Sequence, residues 1–581
     1  MSQDEAPGMQ RLQTRVQAHL DAIYGADCPG SLSSDVIAAM RYPGDVVEPA
    51  PYLNYWDESD CWMITYATSV RDEQKSGLKS LQAFCDQNLA GVINGLHILP
   101  FYPYSSDDGF AVIDYYAVNE DAGTWEDIRS IAGRYRLMAD LVINHVSSQS
   151  EWFQNYISRK DPGKDYFKEA PPEEDLSMVV RPRSTPLRTE VETVDGNRWV
   201  WCTFGPDQVD LDFSNPEVLL EFVKIVRHYI ENGVRVLRLD AVAFLWKEAG
   251  TSSLHDQRTH EIIKLFRTLI DFFDPSIMMI TETNVPNRDN LTYFGNSNEA
   301  HAIYNFSLPP LLIHTLLTGN CRHLKTWMMS MPPARGGTTY FNFLASHDGI
   351  GMRPADGLLS EAEKFSLLDT LRGFGGKVSL RTGPDGAQKP YEVNISLIDA
   401  LAGTHEGRDE FQVDRFVCAH AIMLALEGIP GIYIHSLLGT SNDYEGLART
   451  GQYRSINRRT WQQAELQRLL DDPESTQSIV LGRLGDLIAL RRKHKAFHPN
   501  ATQFTLQLGL ETFGIWRQSM DRRQDIFSIS NITPEHQSLE LANINLISTD
   551  DWRDLISNTP IDKDQAALEL APYQTVWLSN A

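Results

Sequence analysis

A (β/α)8 TIM barrel with an inserted domain after its third strand and a small C-terminal β-domain is the fold this sequence predicts, and three observations predict it. Apolar strand-like segments alternate with amphipathic helical ones, the pattern of parallel βαβ units. Eight such strands can be placed, at 62–66, 95–100, 137–144, 234–239, 277–283, 302–306, 339–345 and 429–434. Three of them run into an acid: Gly233-Val-Arg-Val-Leu-Arg-Leu-Asp240, Met278-Met-Ile-Thr-Glu282 and Phe341-Asn-Phe-Leu-Ala-Ser-His-Asp348. A parallel barrel gathers the C-terminal ends of its strands around one pocket, so these acids would converge there.

The elements follow in order. Residues 10–24 read as a helix ahead of the first strand, part of an N-terminal helical extension. The segment before the fourth strand shows how helices alternate with strands. Asn215 can cap, Pro216 suits a first helical turn, and Leu219, Leu220, Phe222, Val223, Val226, Tyr229 and Ile230 form one apolar face that Asn232-Gly233 ends. Residues 146–210 break the alternation with Pro-, Lys- and Asp/Glu-rich stretches such as Ala170-Pro-Pro-Glu-Glu-Asp, and are assigned to the inserted domain. A second excursion, about 349–412, carries turn signals such as Thr382-Gly-Pro-Asp-Gly386 and is expected to form a lid or wall over the pocket. The barrel thus comprises 1–145 and 211–495. Short strand-like runs such as Thr512-Phe-Gly-Ile-Trp516 place the β-domain at 496–581.

Composition bounds the function. A chain of 581 residues exceeds one simple core, and 42% hydrophobic with 22% charged residues is ordinary for a globular protein. The formal charge of −25, from 52 basic and 77 acidic residues, disfavours nucleic acid and anionic membranes as partners, and an anionic substrate would need a local cluster of Arg or Lys. The six cysteines show no CxxC or zinc-like spacing and read as small buried hydrophobes. The start, Met1-Ser-Gln-Asp-Glu-Ala-Pro, lacks the features of a secretory signal, and the longest apolar run, from Phe416 to Leu426, is too short for a bilayer. A cytoplasmic enzyme is the expected setting. No residue pattern argues for a metal.

Four segments in order, Asp140-Leu-Val-Ile-Asn-His145, Arg238-Leu-Asp240, Glu282-Thr-Asn and His347-Asp348, resemble the marker segments of the α-amylase family of glycoside-processing enzymes. The resemblance implies Asp240 as nucleophile, Glu282 as general acid/base and Asp348 as transition-state stabiliser. Retaining glycosyl transfer needs such a set: one carboxylate attacks the anomeric carbon while a second group, about 5–5.5 Å away, protonates the leaving oxygen. Arg238 can keep the nucleophile ionised, and His145 and His347 can donate to the same sugar.

Within that family the chain resembles the sucrose phosphorylase branch. Asp107-Asp-Gly-Phe110, Arg181-Pro-Arg183, Trp201-Cys-Thr-Phe-Gly-Pro-Asp-Gln208, Lys247-Glu-Ala-Gly-Thr251, His347-Asp-Gly-Ile350 and Arg454-Ser-Ile-Asn-Arg458 carry the likeness. It implies that Asp107 and Arg454 grip the far side of a glucose, that Phe110 and Phe204 line its ring and the entrance with Gln208 beside them, and that Arg183 and Tyr391 hold phosphate. The implied reaction splits an α-glucoside with inorganic phosphate, a co-substrate, to give α-glucose 1-phosphate, with no cofactor. Phe244 stands where the branch usually carries Tyr, and Glu392 where it carries Gln. Phe244-Leu-Trp-Lys-Glu-Ala-Gly-Thr-Ser-Ser and Phe341-Asn-Phe-Leu-Ala-Ser-His-Asp-Gly-Ile-Gly351 are similar to the glucosylglycerate phosphorylase subgroup. The glycerate carboxylate would then want a cation, for which Lys247 and Arg183 are candidates. Sucrose, sucrose 6-phosphate and glucosylglycerol phosphorylases are the rivals that keep the mechanism. A hydrolase or transglucosidase changes the acceptor class, and a binding protein on a dead barrel would lack an acid that is present here. The oligomeric state is left open.

Overall fold

The computed structural model describes residues 7–25, 28, 30–382, 388–544, 552–562 and 564–580. The residues after Thr382 in the expected 382–386 turn, and the first six of the amino terminus, lie outside the described residues. All eight anticipated strands form one closed parallel barrel. They are β1 Trp62–Thr65, β2 Gly95–Ile98, β3 Arg136–Val142, β4 Val234–Asp240, β5 Met278–Thr281, β6 Ala302–Tyr304, β7 Thr339–Asn342 and β8 Ile429–Tyr433. Each pairs with its neighbours in sequence order, and β8 closes on β1 through Trp62 opposite Gly431. Nearly every strand residue is buried, because the interior and the surrounding helices cover both faces.

Close packing explains two of the glycines. A side chain at Gly95 would overlap the Trp62 ring, and one at Gly431 would overlap Phe341, so small residues on neighbouring strands make room for large ones in the barrel interior. The helix Pro216–Glu231 forms as its sequence requires: the Asn215 side chain accepts from Glu217 N–H, and Val218, Leu219, Phe222, Val223 and Val226 are buried.

Two N-terminal helices, α1 (Pro7–Tyr24) and α2 (Gly30–Met40), pack outside the barrel helices. His19 on α1 contacts Glu261 at 2.6 Å and Thr268 at 3.0 Å on the helix Gln257–Phe273. Between β3 and β4 the chain makes a helix, Glu151–Ser158, and an antiparallel hairpin of Arg188–Thr193 with Gly196–Trp201. Between β7 and β8 it makes the helix Glu361–Gly373 and a sheet in which Gln388–Asn394 lies between Ile350–Gly351 and Lys377–Thr382. A six-stranded sheet follows the barrel, from Thr502–Thr505 to Thr575–Ser579 in chain order, with a separate two-stranded pair.

Candidate active site

The floor of the pocket is a chain of buried charges at the ends of β2 to β4. His97 Nε2 lies 2.7 Å from Asp140 Oδ2, Arg238 Nη1 donates to the other Asp140 oxygen, and the same nitrogen donates to Asp240 Oδ1 at 2.9 Å. Strand pairing sets Asp140 beside Arg238, so the three side chains meet inside the barrel rather than by chance of rotamer. Burial would raise the Asp140 carboxyl, but Arg238 and His97 overcome it and hold it below the ordinary range. Burial lowers His97 and leaves it neutral.

Glu282 follows β5 directly. Its Oε2 accepts from the backbone N–H of Ala241 at 3.1 Å, which sets the two carboxyls on adjoining strand ends. Ala241 holds φ at +50°, a left-handed conformation uncommon for a residue with a Cβ, just where the chain turns away from Asp240. Burial raises the carboxyls of both Asp240 and Glu282 above their ordinary values, and neighbouring acids add to this while Arg238 opposes it. Two such groups titrate as a pair. The direct Arg238 hydrogen bond favours charge on Asp240.

His347 and Asp348 come from the turn after β7. The His347 ring stacks on Phe110, 4.9 Å between centroids and 5° between planes, and burial pushes its pKa well down, so it is neutral. Asp348 Oδ1 sits 2.6 Å from Arg454 Nη1 as an ion pair whose N–H is not aligned on the oxygen, so that oxygen accepts no hydrogen bond within the protein. Burial raises this carboxyl, but Arg454, Arg458 and Arg238 outweigh it and leave it below the usual range. Arg454 is clamped in turn by Glu392, Nε and Nη2 each donating at 2.9 Å to a separate oxygen, and it reaches toward Asp107 at 3.9 Å. Asp107, Asp108 and Gly109 all have positive φ, and a side chain at Gly109 would collide with Pro100, so only a tight turn through glycine presents Asp107 to the pocket. His145 Nε2 lies 2.9 Å from the Phe110 carbonyl and 3.2 Å from Gln208 Nε2.

The open side is built from the two excursions. Arg183 lies against two aromatic faces, 5.8 Å from the Phe204 centroid and 5.1 Å from that of Tyr391. Phe204 meets Phe244 edge to face at 5.6 Å. One pocket is lined by Asp107, Phe110, His145, Gln208, Asp240, Glu282, His347, Asp348 and Arg454, and also by Arg183, Phe204, Phe244 and Tyr391. Lys247 does not join them. It is buried beside Asp210 at 3.2 Å, donates to Asn144 Oδ1 at 2.8 Å, and does not line the pocket. The reason is that Asp210 and Asn144 present a buried acid and an amide oxygen that a lysine must neutralise, which leaves Arg183 of the two acceptor candidates.

Residues 90–349 match the family described as alpha amylase, catalytic domain. A glucosylglycerate phosphorylase of Escherichia coli (strain K12) is 40% identical over 570 residues, 98% of this chain and 100% of that protein. One of Allomeiothermus silvanus is 40% identical over 569 residues, covering 98% of each. The chain belongs to the sugar phosphorylases of the α-amylase family. In structure, a sucrose 6F-phosphate phosphorylase of Thermoanaerobacter thermosaccharolyticum superposes with a TM-score of 0.72 at 25% identity, covering 83% of this chain and 96% of that one.

For this phosphorylase, sequence reasoning overlooked His97, whose place against Asp140 depends on strand pairing, and Arg353, which lines the pocket but belongs to no marker segment. Alternation in Gly95-Leu-His-Ile98 would have pointed His97 to one barrel face. No helix among the described residues is long and apolar enough to cross a membrane.

Proposed function

We propose that this phosphorylase reversibly splits 2-O-α-D-glucosyl-D-glycerate with inorganic phosphate, giving α-D-glucose 1-phosphate and D-glycerate. The observation that carries the reading is a buried pair of carboxyls opening onto an arginine that has no ion-paired acid among the described residues. Asp240, held by Arg238, attacks the anomeric carbon, and the glycosidic oxygen leaves with the proton of Glu282. A phosphate oxygen then attacks the β-glucosyl-Asp240 ester from the face the leaving group vacated, giving its proton to Glu282. Two inversions retain the α configuration. Asp348 stabilises the positive charge of the transition state, and Asp107, Arg454, His145, His347 and Phe110 hold the glucose. Arg183 and Tyr391 orient phosphate so that it outcompetes water. Phosphate is the only co-substrate and no cofactor takes part. The choice of glycerate is supported by the nearly full-length likeness to proteins named glucosylglycerate phosphorylase. The six cysteines, none in a disulfide, suit a cytoplasmic setting.

The test runs the purified protein in reverse with α-glucose 1-phosphate and D-glycerate, glycerol, fructose or fructose 6-phosphate, following phosphate release. Release that requires D-glycerate is expected. Preference for another acceptor would rename the substrate, and release into water alone would replace the phosphorylase reading with a hydrolase.

A further inference from the structure

Arg353 lines the same pocket as Asp240 and Glu282 and has so far been given no work. The arginines deeper in the site are all balanced: Arg238 by Asp140 and Asp240, Arg454 by Glu392 and Asp348, Arg458 by Asp108. Arg353 and Arg183 are different. Among the described residues no carboxylate lies within ion-pairing distance of either, although the chain carries a net charge of −25 and acids are plentiful. Asp356, the acid nearest Arg353 in sequence, is engaged by Lys364 at 2.8 Å.

Arg353 is also held firmly. Its neighbour Met352 donates its backbone N–H to the Tyr391 carbonyl at 2.9 Å, and Ser307 Oγ donates to the Pro354 carbonyl at 3.0 Å, anchoring both flanks. Tyr391 is therefore tied to both residues: Arg183 lies over its ring, and its backbone fixes the segment that bears Arg353. Burial pulls the Arg353 pKa down, with Tyr391 opposing, yet a guanidinium stays charged in any protein. Asp356 and Asp289 favour its charge only from beyond ion-pair distance, and a cation without a contacting counter-charge in a partly closed pocket costs free energy that a ligand anion would relieve.

We propose that Arg353 and Arg183 form a two-guanidinium subsite for the oxyanion group of the acceptor, phosphate in one direction and the carboxylate of a small hydroxy acid in the other. The inference rests on the phosphorylase reading and adds to it a reason why a charged acceptor is preferred to a neutral one. Planar forks can each give two parallel N–H bonds to such a group, whereas glycerol offers nothing to neutralise them.

The experiment compares wild type with Arg353→Ala and Arg353→Lys for the KM of phosphate in phosphorolysis, and of D-glycerate and glycerol in the reverse direction. Calorimetric binding of inorganic phosphate to the same three proteins, checked for folding by circular dichroism, needs no turnover. Arg353→Ala is expected to raise the KM of both anions about 10- to 100-fold, the scale of a lost charged hydrogen bond. Glycerol should be affected several times less, and Lys should recover part of the loss. A rise for one anion alone supports the subsite and names its ligand. Equal effects on glycerol and the anions, or anion KM values within twofold of wild type, overturn it. If wild type fails to release phosphate with any acceptor, the phosphorylase reading has failed. Calorimetry then decides Arg353 separately: weaker phosphate binding in Arg353→Ala supports the subsite, and equal binding overturns it.

Discussion

In the proposed reaction, the proton that Glu282 carries beside an ionised Asp240 is the centre of the chemistry at the scale of single residues. Because burial raises both carboxyls, the proton is retained to higher pH than an ordinary glutamic acid would keep it. Activity should therefore persist above the usual glutamate range and fall as the pair loses that proton. Glu282→Gln should remove this basic limb and lower kcat by about 10²–10⁴-fold, and Asp240→Ala should be at least as damaging. A pH–rate profile of each variant checks this, and near-normal turnover in either would refute the roles. The acids themselves were legible in the sequence because each ends an apolar run. Arg353 and His97 were not, since what marks them is the presence or absence of partners in the fold: Asp140 for His97, and no ion-paired acid among the described residues for Arg353.

At the scale of elements, seven of the eight barrel strands end one to three residues before the C-terminal end expected from the sequence, and β4 runs one residue past it to Asp240. The seventh was expected over 339–345 and pairs only over Thr339–Asn342. The apolar run continues past the last ladder bond because Phe343, Leu344 and Ala345 stay buried while the backbone leaves the sheet to present His347 and Asp348. Periodicity reports burial, and hydrogen bonding ends sooner. Lys247 shows the complementary limit. From the sequence it was one of two candidates for the cation that meets the acceptor; in the fold it is an internal tie, contacting Asn144 after β3 and Asp210, whose oxygens also accept from Thr203 N–H at 2.9 Å and Thr203 Oγ1 at 2.5 Å. Lys247→Met leaves Asp210 buried without a counter-charge and should cost about 3–5 kcal/mol in denaturant unfolding. Lys247→Met with Asp210→Asn should recover part of it. A full-stability single variant would show that the tie carries no weight.

At the scale of the whole molecule, the C-terminal sheet is fastened to the lower rim of the barrel by buried arginines that donate to carbonyls. Arg517 reaches Ala425 O at 2.7 Å and His498 O at 2.7 Å, and Arg491 reaches Leu424 O at 2.9 Å and Phe497 O at 3.0 Å. Glu427 lies at this junction, accepting from Ala334 N–H at 2.7 Å, and burial raises its carboxyl to about 7. A carboxyl whose folded pKa exceeds its unfolded value withdraws stability as pH rises from the unfolded value to the folded one, and above about 7 the full cost remains. Glu427→Gln should thus raise Tm at pH ~8 and lose most of that advantage by pH ~5, worth a few kcal/mol at most. Thermal melts across that range test it, and a constant difference would exclude the linkage. No sequence pattern announced this junction, because its donors and acceptors are distant in the chain, Ala334 from Glu427 and Ala425 from Arg517.

The parts of the pocket also have separate origins along the polypeptide. Asp240, Glu282 and Asp348 stand at or just past barrel strand ends, whereas Arg183 belongs to the excursion between β3 and β4, and Arg353 and Tyr391 to the one between β7 and β8. In the proposed reaction, bond cleavage is thereby inherited with the scaffold, and the taste for one acceptor over another with two replaceable loops. Such a division lets a lineage, or an engineer grafting those loops, trade one co-substrate for another while the glucose-splitting machinery passes unaltered from parent to descendant.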